Sequence, residues 1–345
     1  MIVGTALGVY LCQNCLVADD NLRASIEVEL QALDSETSAP VVTALAASRD
    51  GKYIAAAGDD HAIRLIDAQT QITLRKWKAH SDWIQSLVFS GDSRELFSGS
   101  DDGRVLKWDN EHQTNPIEVV RMPFAVRSLS LSTQRQLLAI AGFGNIIGIW
   151  DLKAGRWKHR FACASGDQRC VRFSPAGDRL LCGGRDGHLE VWQTETGEEI
   201  EQVALHAGRI HTAAFSMDGS IVTSVGEDRR IVRYDLAKKQ KILDLELQGS
   251  KLRSLCLINE HLVAAAGSDN SIRIFDLLAN VELGKLVGHS GSVAVMCTCG
   301  EQLVSGAFDT TLRIWNIEAA IKQQNQITKP VGIAPLKTDL RMEIR

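Results

Sequence analysis

SDDGRVLKWD, at residues 100–109, is the key to the architecture, because the chain repeats its pattern six more times. The echoes are GDDHAIRLID (58–67), GFGNIIGIWD (142–151), GRDGHLEVWQ (184–193), GEDRRIVRYD (226–235), GSDNSIRIFD (267–276) and AFDTTLRIWN (307–316). Their closing residues, Asp67, Asp109, Asp151, Gln193, Asp235, Asp276 and Asn316, succeed one another at spacings of 42, 42, 42, 42, 41 and 40. Self-similarity at such a period marks an array of structural units, each burying its apolar face against its neighbours.

Inside a unit the signals are those of strands. Short apolar runs at 86–89, 96–97 and 105–108 are β-rich and separated by Gly, Asp and Asn, and no stretch sustains a period of 3.6 over three turns. Asp50-Gly51 and Asp218-Gly219 mark tight hairpin turns, where Gly accepts positive φ at little steric cost. Each unit of about 42 residues therefore has the size of a four-stranded antiparallel propeller blade, and the fold class expected is all-β, a seven-bladed β-propeller. Length alone, 345 residues, suggests two domains. The repeats reduce this to one, since residues 25–317 supply 293 positions against 7 × 42 = 294, leaving 1–24 and a tail, 318–345, outside.

These residues carry a resemblance to the WD-repeat β-propeller family. Four units have Trp in the penultimate place (Trp108, Trp150, Trp192, Trp315), with Ile66, Tyr234 and Phe275 in the others, and His80, His206 and His289 stand upstream where the family has its His. The resemblance implies a buried tetrad of His, Ser, Asp and Trp in each complete blade. Blade 2 matches as His80, Ser98, Asp102 and Trp108, blade 7 as His289, Ser305, Asp309 and Trp315, and blade 5 as His206, Ser224 and Asp228 with Tyr234 replacing Trp. Such a set can satisfy its own hydrogen bonds away from water, pinning two loops to one strand. Each His/Ser/Asp set looks catalytic on paper, yet all recur in register with the blades, as packing networks do. Blade 3 lacks the tetrad, having Ile140 and Gly144 in the Ser and Asp places. Blades 1 and 6 keep only Asp60 and Asp269, with Ala56 and Ala265 for Ser, and blade 4 keeps Asp186 and Trp192 with Cys182. Those blades are expected to rely on apolar packing.

A propeller must join its last blade to its first or expose a strand edge. The missing outer strand of blade 7 is expected from SIEVELQAL (25–33), which resembles KILDLELQG (241–249); the alternative donor is the strand-like segment 338–344. Residues 1–18, MIVGTALGVYLCQNCLVA, resemble a secretory signal peptide with cleavage after Ala18, followed by a short leader at 19–24. That reading places the protein in an exported compartment, periplasmic or extracellular, and the alternative is the cytoplasm. Cys12 and Cys15 form a lone CxxC without a second pair at ligand spacing, so neither a metal nor a redox site is expected there. Cys170, Cys182, Cys256, Cys297 and Cys299 sit in or beside strands as small hydrophobes, and Cys163 is a candidate disulfide partner for Cys170.

Charge narrows the function classes. With 38 Lys plus Arg against 42 Asp plus Glu, a net charge of −4, the chain has no global attraction for nucleic acid or anionic lipid. Propellers of the family serve as rigid interaction platforms, so the function expected is that of a non-catalytic protein-binding scaffold, a monomeric propeller within a complex. The loops expected on one rim carry Trp83, Arg185, Arg209, Arg229 and Phe308, and Arg127 and Arg169 extend them into an arginine-containing arc suited to a protein or peptide partner of acidic character. The competing expectation pairs Arg185 and Arg229 with the adjacent Asp186 and Asp228 on a solvated rim. The alternative function is a propeller enzyme, a hydrolase or oxidoreductase, with its site at the central opening. No His/Glu/Asp set converges outside the tetrads, and GFGN (142–145) lacks the following helix of a phosphate loop, so no catalytic residue, cofactor or metal is expected.

Overall fold

The structure, a computed structural model, describes residues 25–30, 39–112, 115–163, 166–319 and 321. The signal peptide and leader read at 1–24, Cys12 and Cys15, the alternative closing strand at 338–344 and most of the tail lie outside the described residues. The described residues form seven sheets, each of four antiparallel strands. The inner strands are Val42–Ala47, Ile84–Phe89, Val126–Ser132, Gln168–Phe173, Ile210–Phe215, Leu252–Leu257 and Val293–Cys299. Each packs against the inner strands on either side, and the first meets the last, so the ring closes around a central channel.

The core lies between blades, because a sheet with two apolar faces has only its neighbours to bury them against. One cluster joins Ala55, Ile63 and Leu65 of blade 1 to Leu87, Phe89, Leu96 and Trp108 of blade 2. Burying each such large side chain contributes about 1.5–3 kcal/mol. Closure uses the N-terminal segment: Ser25–Glu29 pairs antiparallel with Thr311–Asn316, from Ser25 opposite Trp315 to Glu29 opposite Thr311. Leu30, only 2% exposed, then anchors the strand beside Val42 and Leu312.

Two tetrads have the geometry their residue types require. In blade 2 the Trp108 indole N–H donates to Ser98 Oγ at 2.9 Å, and Ser98 lies 2.8 Å from His80 Nε2, whose Nδ1 is 3.0 Å from Asp102. A carboxylate only accepts, so His80 Nδ1 carries the proton, Nε2 accepts, and the serine donates to it. Blade 7 repeats this, with Trp315 to Ser305 at 2.8 Å, Ser305 to His289 at 2.7 Å and His289 to Asp309 at 2.9 Å. Burial pushes the Asp102 carboxyl up, but bonds from Arg104, the Ser81 and Arg104 backbone N–H groups and His80 outweigh it and hold it well below the usual carboxylate range.

Blade 5 departs from expectation. His206 bonds Ser224 at 2.9 Å and Asp228 at 2.8 Å, but the Tyr234 hydroxyl donates to Glu201 at 3.2 Å instead of reaching Ser224. A phenol carries its donor at the tip of the ring, beyond the place where an indole N–H sits. Blades 1 and 6 also correct the reading, for they do not rest on apolar packing alone. Arg64 and Asp60 form a buried pair at 2.5 Å, and Arg273 reaches Asp269 at 3.4 Å, so an arginine on the third strand takes over the turn aspartate where His and Ser are missing.

Candidate functional site

Each inner strand shifts register one residue from its start, and the skipped residues are Thr43, Gln85, Arg127, Arg169, His211, Arg253 and Ala294. A bulge leaves its extra residue unpaired and re-aims the side chain. Here the seven bulges recur in register around the ring and bring all seven residues to the wall of the channel, a cavity of about 540 Å³. Four successive blades, 3 to 6, contribute Arg127, Arg169, His211 and Arg253, while the other three bulge residues, Thr43, Gln85 and Ala294, are neutral.

Acidic groups partly balance these cations. Asp101 pairs with Arg127 at 3.1 Å, Asp167 with Arg169 at 2.8 Å and Arg209 at 3.0 Å, and Glu227 with Arg209 at 2.8 Å and His211 at 3.5 Å. Phe143 lies under two guanidinium groups, Arg127 at 4.1 Å and Arg169 at 4.6 Å from its ring centre, and remains 39% exposed. Arg253 approaches the Phe308 ring at 5.9 Å. The result is a rigid mouth of cations stiffened by carboxylates and edged with open aromatic rings.

Of the residues singled out from sequence, Arg127, Arg169 and Arg209 meet in one network around Asp167 and Phe143. Trp83 flanks it, its carbonyl accepting the Asp101 N–H at 2.9 Å, and both Trp83 and Phe308 present exposed rings. Arg185 is exposed beside them, its N–H donating to the Asp167 carbonyl at 3.0 Å. Arg229 faces outward to Glu246 at 3.4 Å. The expected pairing of Arg185 and Arg229 with Asp186 and Asp228 does not form, because Asp186 faces His188 at 3.4 Å and Asp228 is taken by His206. Sequence reasoning missed Phe143, His211 and Arg253. His211 and Arg253 stand 42 and 84 residues after Arg169, so extending the register of Arg127 and Arg169 would have found them.

Burial pushes the His211 imidazole down to about 4, and Arg253, Arg169 and Arg209 push the same way against Glu227. The unfolded imidazole takes its proton near 6.5, so this group's contribution to stability is complete above that pH and is lost as pH falls toward 4. Burial lowers His80 as well, which adds to the same slope. His211→Gln is expected to flatten, in part, the fall of the melting temperature between pH 6.5 and pH 4; an unchanged slope would contradict it.

Cys163 and Cys170 do not form the disulfide considered from sequence; both are free thiols. Cys163 turns instead to Cys182, and with Glu190 the three place their donor atoms within 4.8 Å of one another, all buried. Burial holds the Cys182 thiol well above its ordinary range, with Cys163 and Glu190 adding to the rise, so it stays protonated. The cluster fills the place of the incomplete tetrad in blade 4, whose Trp192 indole N–H is buried without a partner.

Residues 41–316 match a family model described as the IFT122 first beta-propeller. The chain is similar to the DENN domain and WD repeat-containing protein SCD1 of Arabidopsis thaliana, 26% identical over 263 residues, which cover 72% of this chain and 22% of that protein. It is similar also to the small ribosomal subunit protein RACK1y of Oryza sativa subsp. japonica, 25% identical over 71% of this chain and 78% of that protein. WD repeat-containing protein 55 of Homo sapiens is 23% identical over 79% of this chain and 62% of its own length. The chain thus spans less than two thirds of two of these three relatives.

Proposed function

We propose a function on one premise: the chain belongs to the WD-repeat β-propeller family, in the group described as the IFT122 first beta-propeller. It acts as a non-catalytic scaffold that binds a protein or peptide of acidic character on the face around the channel mouth. The observation that carries this is the gathering of Trp83, Phe143 and Phe308, each about 40% exposed, around a network of arginines. Aromatic and arginine side chains held rigidly and left open are the composition of binding hot spots, and ordering them on binding costs little because the blades already hold them. The name of RACK1y, a small ribosomal subunit protein, places that relative in an assembly, which supports the same kind of role here.

Absence of catalysis is part of the proposal. The three His/Ser/Asp sets that resemble triads keep their imidazoles 0%, 0% and 1% exposed, so no substrate reaches them. No helix among the described residues is long and apolar enough to cross a membrane. The test is capture of the native partner by purified protein. Replacing Arg169 and Arg209 together with Glu reverses the charge of the network, and capture is expected to fall at least about tenfold, or 1.4 kcal/mol. Retention of full capture by a folded double variant would remove the acidic-partner reading.

A further inference from the structure

Arg172 has no part in the face just described. It follows Arg169 by three residues on the inner strand of blade 4, which sets its Cα about 10 Å further along the channel at 3.3 Å per residue, and its guanidinium lies against Ser128 and Leu129, one and two residues past Arg127. The corresponding residues of the other blades are Ala46, Val88, Ser130, Ala214, Cys256 and Cys297, so Arg172 is the one charged side chain of that layer. Its bonds all run from Nη1, to the Val171 carbonyl at 2.9 Å, Ser128 Oγ at 3.3 Å and the Leu129 carbonyl at 3.4 Å. Nε and Nη2 make none, and no carboxylate lies within 4 Å among the described residues. Burial pushes its guanidinium down, with only Cys170 and Cys256 opposing. The side chain is only partly buried, and a guanidinium stays charged under such pressure, so it faces the cavity without a counterion.

The mouth above it is also short of negative charge. Arg127, Arg169, Arg209 and Arg253 are four cations against three carboxylates, Asp101, Asp167 and Glu227, while Asp82 and Lys251, one of each sign, act from further out; Arg172 and Arg49, further along the cavity wall, add to the cationic excess. Arg253 makes no ion pair among the described residues. The volume of the open channel, about 540 Å³, is within the range of small-molecule sites, roughly 300–1,000 Å³.

We propose that the channel binds a small, elongated polyanion, an organic polyphosphate or polycarboxylate, held at the mouth by Arg127, Arg169 and Arg253 and at its inner end by Arg172. The depth of Arg172 favours a free molecule over an acidic side chain of a docked protein. A glutamate on a partner lying across the face reaches only about 5 Å from its Cα, half of the roughly 10 Å of strand that separates Arg172 from Arg169.

The probe is inorganic tripolyphosphate, added to the purified chain with no partner present, so a failure here leaves the partner reading standing. Calorimetry is expected to show saturable 1:1 binding, and the melting temperature to rise with ligand concentration. Arg172→Met should weaken binding at least about tenfold while leaving the unliganded protein as stable as before or more so, since it removes an uncompensated charge. Arg172→Lys should keep part of the affinity, and Lys238→Met, on an exposed outer turn, should keep all of it. The bound anion should also raise the His211 pKa from about 4, read from its imidazole resonances. Absence of saturable binding by the wild-type chain overturns the proposal. Equal affinity in a folded Arg172→Met variant does so too, by confining anion recognition to the mouth where a partner's side chain would suffice.

Discussion

Asp102→Ala is expected to destabilise the propeller by about 3–5 kcal/mol, the cost of breaking a buried charged network from one side. The carboxylate accepts from His80 Nδ1, from the Ser81 N–H at 3.0 Å, from the Arg104 N–H at 2.9 Å and from the Arg104 guanidinium at 2.7 Å. Its removal strands the buried His80 N–H, takes the acceptor from the Ser81 and Arg104 backbone N–H groups and leaves Arg104 without its counterion. The folded carboxyl lies below its unfolded value of 3.8, so the stabilisation is full above about pH 4 and is lost as pH falls through the folded value. The difference between wild type and Asp102→Ala should therefore shrink in strong acid. Ser98→Ala is the milder control: it leaves the Trp108 and His80 nitrogens unpaired at about 1–3 kcal/mol, a state resembling that of Trp192 in blade 4. Denaturant midpoints measure both, and a loss below about 1 kcal/mol for Asp102→Ala would contradict the role given to the tetrad.

Deleting residues 1–30 is expected to cost more, because it opens the ring. Thr311–Asn316 would become a bare edge strand, and Arg313 would lose its bonds to Ser25 and Glu27. Leu30 would leave a void against Val42 and Leu312, at about 2–5 kcal/mol for a buried leucine. An unpaired edge recruits other chains, so the shortened protein should aggregate on expression or elute as oligomers. A synthetic peptide covering residues 25–33 should restore a monomer in trans. A shortened chain that is monomeric and melts at the wild-type temperature would show that the closing strand contributes little.

The blades were legible from sequence because a period of about 42 residues survives substitution of any one position: blade 3 is a blade with Gly144 and Ile140 where the pattern has Asp and Ser. The closing strand was legible as a resemblance between 25–33 and 241–249, fulfilled over Ser25–Glu29. Side-chain partners were less so. Tyr234 holds the place of Trp, but its hydroxyl finds Glu201, 33 residues away, and that choice depends on the length of a ring and not on a motif. Arg64 compensates for a missing histidine from the third strand, where the pattern prescribes no particular residue. The mouth was half visible: Arg127 and Arg169 are where they were expected, but the bulge that aims them, and with them His211 and Arg253, is a feature of strand pairing with no residue signature.

The most direct test of the scaffold reading is site-specific photo-crosslinking in the native source. A photoreactive residue placed at Phe308 or Trp83, on the mouth face, is compared with one at Lys52, on the turn joining the first two strands of blade 1 at the opposite rim. One discrete protein should be crosslinked from positions 308 and 83 and not from 52, and the product should disappear when Arg169 and Arg209 are replaced by Glu. Crosslinking of that protein from position 52 alone would contradict the scaffold reading.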